Sequence, residues 1–304
     1  MKTHPKLTVI GTVQGQKDEL AHIHAQLITG LDGDTREYEV IYIDDGSTDG
    51  SWHELLQLSE KDKRVRLARL RTNFGEAAAL DAGLQMAKGK VIIYFTCRVN
   101  IETKDFVKLL HKIDEGYDVV VGARYPRKDS FLNQMVSRLF NAITNRFSGL
   151  SLHDINSGVF ATRKEVIENL PVYGAFNAFL PLMAIRQGYK VVEEKIAQLP
   201  GRFAQSMYPK NYIRRMLDLI SVIFLSNYSK KPLHFLGFFG AILFLIGALI
   251  DFYLFIYRLL GYGGIAGRPM LLLGTILLVI GMQMISIGLL GEMIIFTHAK
   301  EIRE

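Results

Sequence analysis

Cysteine is nearly missing: Cys97 stands alone in 304 residues. No internal disulfide can form, and no multi-cysteine metal site can be built. Charge is missing from two long stretches. Pro232 to Ile250 and Pro269 to Gly291 contain no Asp, Glu, Lys or Arg, runs of 19 and 23 residues against the roughly 20 that cross a bilayer as a helix. Met1 to Lys6 lack the apolar core that heads a signal peptide, so the first domain is expected to remain in the cytosol. No internal repeat or low-complexity linker occurs. The formal net charge of +6 gathers beside the apolar runs, which matches anionic lipid headgroups rather than nucleic acid.

What is present is ordered around Val40-Ile41-Tyr42-Ile43-Asp44-Asp45-Gly46-Ser47-Thr48-Asp49-Gly50. Four β-branched and aromatic residues make a strand buried on both faces. It runs into two acids, a glycine turn and residues that cap a helix. Ligands of open α/β sheets bind off the carboxyl ends of strands, where two acids can contact a ribose or base, or help to hold a cation. Further strands are expected at Leu7–Ile10, Val65–Ala68, Val91–Phe95, Asp118–Gly122 and Val191–Ile196, with helices between them. The alternation predicts an α/β fold with a parallel sheet. A longer helix is expected from Phe131 to Phe147.

Residues 209–231 read as juxtamembrane and amphipathic, with Lys210, Arg214 and Arg215 set among Ile213, Met216, Leu217 and Ile220. A basic amphipathic segment of this kind lies in the headgroup layer, although an ordinary surface helix has the same pattern. Two membrane helices are expected at 232–257 and 269–296, with a short tail at 297–304. Lys210, Arg214, Arg215, Lys230 and Lys231 precede the hairpin, while its loop carries Arg258 and Arg268. That asymmetry predicts an inner-membrane, multi-pass chain with its domain and both termini in the cytosol. Asp251 is expected to reach the interface or pair with Arg258, and Glu292 to pair with Lys231. Gly237, Gly240 and Gly247 on one span, with Gly274, Gly281, Gly288 and Gly291 on the other, permit close helix contact.

The run Ile43-Asp44-Asp45-Gly46-Ser47-Thr48-Asp49 resembles the nucleotide-contact motif of family-2 glycosyltransferases. Asn73-Phe74-Gly75, Gly122-Ala123-Arg124 with Arg127, and Asp154-Ile155-Asn156-Ser157-Gly158 continue the likeness. With its hydrophobic end, the chain is similar to the membrane-anchored polyprenyl-phosphate glycosyltransferases, the group of dolichol-phosphate mannose synthase and bactoprenol glucosyltransferases. The resemblance implies a GT-A (Rossmann-like) nucleotide-binding domain, here 1–208. It implies nucleotide contacts from Asp44, Asp45, Ser47 and Asn73, and acceptor-phosphate contacts from Arg124, Arg127, Ser137, Arg202 and Ser206, with Lys128 able to assist. Asp154 matches a family acid and is the candidate catalytic residue, or else caps its own turn.

Several family motifs are altered. The resemblance places the family's metal-binding Asp-x-Asp at Thr96-Cys97-Arg98. A hard cation needs oxygen ligands, so no metal cofactor is expected, where the family uses Mg²⁺ or Mn²⁺. Arg98 either neutralises a diphosphate itself or pairs with Asp44 or Asp45. The base-holding Pro-x-Tyr-Asn-Glu is Gly11-Thr12-Val13-Gln14-Gly15. Gly-Glu-x-His-Arg-Phe-x-Pro has become Gly174 to Pro181 without its Glu, His or Arg. The phosphate loop at Gln198 to Tyr208 keeps Ser206 and Tyr208 but not its His, Arg or Lys, and Asn133 stands where a basic residue is common. Glu76 reads as a solvated acid at a helix start. His22 and His24, two apart, do not share a helix face. Cys97 is reactive if exposed and inert if buried.

Three functions follow. The first is a transferase-like membrane protein of envelope glycan or glycolipid routes with impaired catalysis, partnering an active paralogue in a homo- or hetero-oligomer. The second is a metal-independent transferase from UDP- or GDP-sugar to polyprenyl phosphate. The third is a sensor of lipid phosphate or nucleotide.

Overall fold

The computed structural model describes residues 6–127, 135, 137–138, 141–142, 145, 152–155, 157–170, 176–199, 232–265 and 267–301. The chain forms two compact units, Met1–Val222 and Ile223–Glu304.

The first unit alternates strands and helices: β1 (Leu7–Val13), α1 (Lys17–Leu31), β2 (Tyr38–Asp44), α2 (Ser51–Lys61), β3 (Val65–Arg69), α3 (Glu76–Met86), β4 (Val91–Thr96), α4 (Phe106–Asp114), β5 (Val119–Arg124), β6 (Val159–Arg163), α5 (Lys164–Glu168), α6 (Phe176–Arg186) and β7 (Val191–Ile196). The strands make one sheet in the order β3-β2-β1-β4-β6-β5-β7. Successive strand residues point to opposite faces, and the two cores divide accordingly. Val9, Val40, Tyr42, Ile93 and Phe95 meet Leu20, Leu27, Leu55, Phe106 and Leu110 of α1, α2 and α4 on one face. Ile10, Ile41, Ile43, Ile92 and Tyr94 meet Ala79, Leu80, Val166 and Leu180 of α3, α5 and α6 on the other. A strand buried on both faces needs apolar residues at every position, hence runs such as Val40 to Ile43. Helix α3 lies close to β1: a Cβ on Gly83 would come within 2.6 Å of Ile10 Cγ2.

The sheet is mixed rather than parallel throughout. β1 pairs in parallel with β2 and β4, β2 with β3, and β5 with β7, whereas β6 is antiparallel to both β4 and β5. The cause is the route of the chain. β5 ends at Arg124, whose backbone N–H and guanidinium both donate to Asp154, only five residues before β6 begins. The chain therefore re-enters the sheet from the end it has just left, and must run back down it. Gly158, at φ 76°, makes the entry turn, in a backbone region that L side chains rarely adopt.

Of the helix expected from Phe131 to Phe147, residues 135, 137, 138, 141, 142 and 145 are described, and they are helical. The amphipathic segment at 209–231 lies outside the described residues, as do Lys128 and Asn133.

The second unit contains α7 (Pro232–Leu259) and α8 (Pro269–Glu301). Stretches of both, Pro232–Leu259 and Pro269–Ile295, are long and apolar enough to cross a membrane. Leu245, Leu249, Phe252, Phe255, Leu272, Leu289 and Ile294 all stand exposed, a surface suited to lipid rather than water. The two helices meet through glycine. A Cβ on Gly240 would lie 2.7 Å from the Gly281 carbonyl oxygen, and one on Gly247 would lie 2.6 Å from that of Gly274. These residues recur every seven positions, so they keep to one seam and let the backbones approach. Gly288 and Gly291 join the seam beside Leu233 and Pro232, whereas Gly237 contacts only Leu233 of its own helix.

The expected pairing of Asp251 with Arg258 is replaced by a contact across the hairpin. The carboxylate lies against Gly274, and its Oδ2 is 3.5 Å from Thr275 Oγ1. Gly274 leaves room for it, which a larger residue would take. Lys231, the expected partner of Glu292, is outside the described residues. At the loop end, the Arg268 guanidinium sits 4.3 Å from the Tyr257 ring centre and donates to Tyr257 Oη at 3.2 Å.

Candidate active site

The candidate residues collect at the carboxyl ends of β2, β4 and β5. β2 ends at Asp44, which is fully buried. Its Oδ1 accepts the Ser47 backbone N–H at 3.0 Å, and its Oδ2 is 3.1 Å from Arg69 Nε. That N–H is not aimed at the oxygen, so the second contact is Coulombic. Arg69 also donates to the Ser47 carbonyl at 3.2 Å and lies 5.6 Å from the Trp52 ring centre.

Asp45 turns the other way. Its two carboxylate oxygens accept the backbone N–H groups of Phe74 and Gly75, at 2.8 and 3.0 Å. Gly46 permits this closure: at φ 67° its Cα faces the Thr72–Asn73 peptide, where a Cβ would come within 2.6 Å. Both acids are therefore occupied in building the turn. Ser47 Oγ accepts the Gly15 N–H at 3.0 Å, tying this turn to the end of β1. Asn73 is exposed on the loop that Asp45 holds.

At the exit of β4, Thr96 is buried and Arg98 is 39% exposed. The partner of Arg98 is neither Asp44 nor Asp45, which are engaged as above, but Glu76, the first residue of α3. Arg98 Nη1 lies 3.7 Å from Glu76 Oε1, and Thr96 Oγ1 donates to the same oxygen at 3.4 Å. Glu76 is thus not simply a solvated acid. With both side chains about a third exposed, this pair is worth roughly 0.5 kcal/mol in water. Between them, Cys97 is buried, and burial pushes its thiol far above the ordinary range. It supplies no thiolate.

The end of β5 is built differently. Arg124 and Asp154 are both buried and joined twice, Nε to Oδ2 at 2.7 Å and Nη2 to Oδ1 at 2.9 Å. Arg127 Nη1 stands 3.5 Å from Asp154 Oδ1 and donates to Ser137 Oγ at 2.9 Å. Asp154, the candidate catalytic acid, thus holds two arginines. Arg124 directs Nε and Nη2 at Asp154, and Arg127 and Ser137 are hydrogen-bonded to each other. Arg202 and Ser206 lie outside the described residues. Two further residues belong here. Glu193 on β7 accepts the Asp154 backbone N–H at 3.2 Å and fixes the 153–154 turn. Tyr125, 64% exposed, has Lys195 Nζ 4.8 Å from its ring centre. Neither Glu193 nor Arg69 carries a motif; only the three-dimensional pairing reveals them.

Residues 12–170 match the family model described as glycosyl transferase family 2. The chain belongs to this family. It is 27% identical over 302 residues to a dodecaprenyl-phosphate galacturonate synthase of Rhizobium johnstonii, covering 97% of this chain and 89% of that one. To an undecaprenyl-phosphate 4-deoxy-4-formamido-L-arabinose transferase of Klebsiella pneumoniae it is 29% identical, covering 97% and 90%. Among solved structures it resembles a Pyrobaculum calidifontis mannosyltransferase in complex with GDP-Man and Mn²⁺ (TM-score 0.52, 15% identity, 100% of this chain and 82% of that one). It also resembles glucosyl-3-phosphoglycerate synthase of Mycobacterium tuberculosis (TM-score 0.55, 15% identity, 73% and 79%). These likenesses identify the mixed sheet as a GT-A fold. Both of these sequence relatives are named as sugar transferases or synthases of polyprenyl phosphates.

Proposed function

We propose that this glycosyltransferase-like chain works in the membrane at a polyprenyl-phosphate step of envelope glycan or glycolipid assembly, as a partner or regulatory subunit without metal-dependent sugar transfer. The observation that carries this reading is the Arg98–Glu76 pair at the exit of β4. A divalent cation requires several oxygen ligands. Among the described residues, the carboxylate paired at this exit is Glu76, and it faces a guanidinium that repels such an ion. Cys97 is buried, and the acids of β2 are held inside their turn. Among the described residues, no three His, Cys, Asp or Glu side chains gather as a metal site. The residues present do not fit Mg²⁺ or Mn²⁺.

The lipid side is better supported. Relatives matching nearly the whole chain are named for polyprenyl-phosphate substrates. Two apolar helices supply an anchor, and the Lys and Arg residues preceding them favour a cytosolic domain. Asp154 positions Arg127 toward Ser137, a geometry suited to a phosphate monoester. Such a phosphate, with a second pKa near 6, is already a nucleophile at neutral pH, so the buried Asp154 is not needed as a base. The partner is an active relative or a second copy of the chain.

The test is transfer from UDP- and GDP-sugars to polyprenyl phosphate by the purified chain in lipid nanodiscs. No turnover, with or without Mn²⁺, is expected, and Mn²⁺-stimulated transfer contradicts the reading. A second reading, metal-independent transfer, is favoured by the accessibility of the Arg98 and Arg69 guanidinium groups, 39% and 46% exposed. Turnover in EDTA, abolished by Arg98→Gln, would establish it.

A further inference from the structure

We propose that Arg98 and Glu76 form a latched cation, which binds the diphosphate of a nucleoside diphosphate without a divalent ion, and that Glu76 sets its affinity. The inference rests on the reading above, that this end of the sheet has lost its metal but remains the nucleotide side of the fold. Two carboxylates with a divalent ion are neutral overall, and so is a guanidinium with one carboxylate. The replacement of a metal site by Thr96, Arg98 and Glu76 therefore leaves the local balance unchanged while moving the positive charge onto a side chain.

Next comes accessibility. Arg98 and Glu76 are 39% and 33% exposed and 3.7 Å apart, so separating them costs less than about tenfold in an equilibrium constant. A diphosphate offers the guanidinium two parallel, charge-assisted hydrogen bonds, which a single carboxylate at that distance does not. Thr96, buried on β4, donates to Glu76 Oε1 at 3.4 Å and can keep the carboxylate in place after Arg98 leaves it.

Finally, the acids at the end of β2 already have partners. Asp44 faces Arg69 and the Ser47 N–H, while Asp45 spends both oxygens on the Phe74 and Gly75 N–H groups. Among the described residues, Glu76 is the carboxylate paired with Arg98, and a diphosphate would compete with it there. It is a positioning residue whose removal should strengthen binding, an effect that loss of structure does not produce.

The experiment is calorimetric titration of the full chain in nanodiscs with UDP and with GDP, in EDTA and in Mn²⁺, with UMP and inorganic pyrophosphate as comparison ligands. UDP or GDP should bind in EDTA, with Mn²⁺ changing the affinity by less than about twofold. Glu76→Gln should tighten binding about fivefold, and Arg98→Gln should weaken it about tenfold or more. In the double variant, the gain from Glu76→Gln should vanish. Binding that requires Mn²⁺, UMP or pyrophosphate binding as tightly as UDP, or a Glu76→Gln variant no tighter than wild type would each overturn the proposal. If neither UDP nor GDP binds the wild type or Glu76→Gln, the proposal also falls, yet the catalytically silent reading stands. Mn²⁺-stimulated transfer removes that reading instead.

Discussion

The ends of β4 and β5 lie two strands apart in the same sheet, yet they hold their charges in opposite ways. At β5 the Arg124–Asp154 pair is buried, doubly bonded and braced by Arg127 and Glu193. At β4 the Arg98–Glu76 pair is loose and open to solvent. A buried ion pair is expensive to form and costlier still to break from one side, whereas an exposed one is nearly neutral. The β5 pair is therefore a scaffold that also holds Arg127, and the β4 pair is a contact that costs little to separate. In the function proposed above, the end of β5 serves the lipid phosphate, and Arg98 stands where the family resemblance places a metal-binding acid.

The largest expected effect tests the scaffold half of this contrast. Asp154→Ala leaves Arg124 buried without its carboxylate and should lower stability by about 3–5 kcal/mol, read by chemical denaturation of the chain in nanodiscs. Replacing both partners, Asp154→Leu with Arg124→Met, should recover much of that loss; equal damage from both would mean the pair is not what is being measured. Asp45→Ala comes next. It frees two backbone N–H groups of the 74–75 loop and should cost about 2 kcal/mol, with faster amide hydrogen exchange at Phe74 and Gly75.

A smaller effect depends on pH and lies away from both sites. Burial holds His24 below its ordinary value of 6.5, partly opposed by Asp62, and its Nδ1 pairs with Tyr42 Oη at 3.2 Å. The unfolded chain therefore takes up this proton at a higher pH than the folded chain does. Stability should be complete above 6.5 and fall as pH drops through 6.5 toward the folded value. His24→Gln should flatten that slope between denaturation curves at pH 5 and 7.5. The smallest effect completes the contrast: Arg98→Ala should change stability by less than about 0.5 kcal/mol. A loss near that of Asp154→Ala would mean that the β4 pair is structural too.

Much of this architecture is legible in the residues. Apolar runs such as Val40–Ile43 and Val119–Val121 mark doubly covered strands, and the uncharged runs mark α7 and α8. The seven-residue glycine spacing announces the hairpin seam. The reversal of β6 is not written locally, because it depends on where the chain stands after β5. The same limit applies to charge partners. Thr96-Cys97-Arg98 is visible as a departure from its family, but the partner of Arg98 lies 22 residues earlier, at the start of α3. Asp44 and Asp45 have the side chains of a ligand site, and their engagement with Arg69 and with the 74–75 backbone emerges only once the turn is folded.

The central claim is that a guanidinium has replaced the divalent ion at the exit of β4. Manganese EPR of the intact chain, titrated in the presence of a saturating UDP- or GDP-sugar, tests it most directly. The account predicts that the free-ion signal rises in step with added Mn²⁺, corrected for the metal that the nucleotide alone takes up. Stoichiometric loss of that signal at micromolar Mn²⁺, abolished by substituting Asp44 or Glu76, would contradict it.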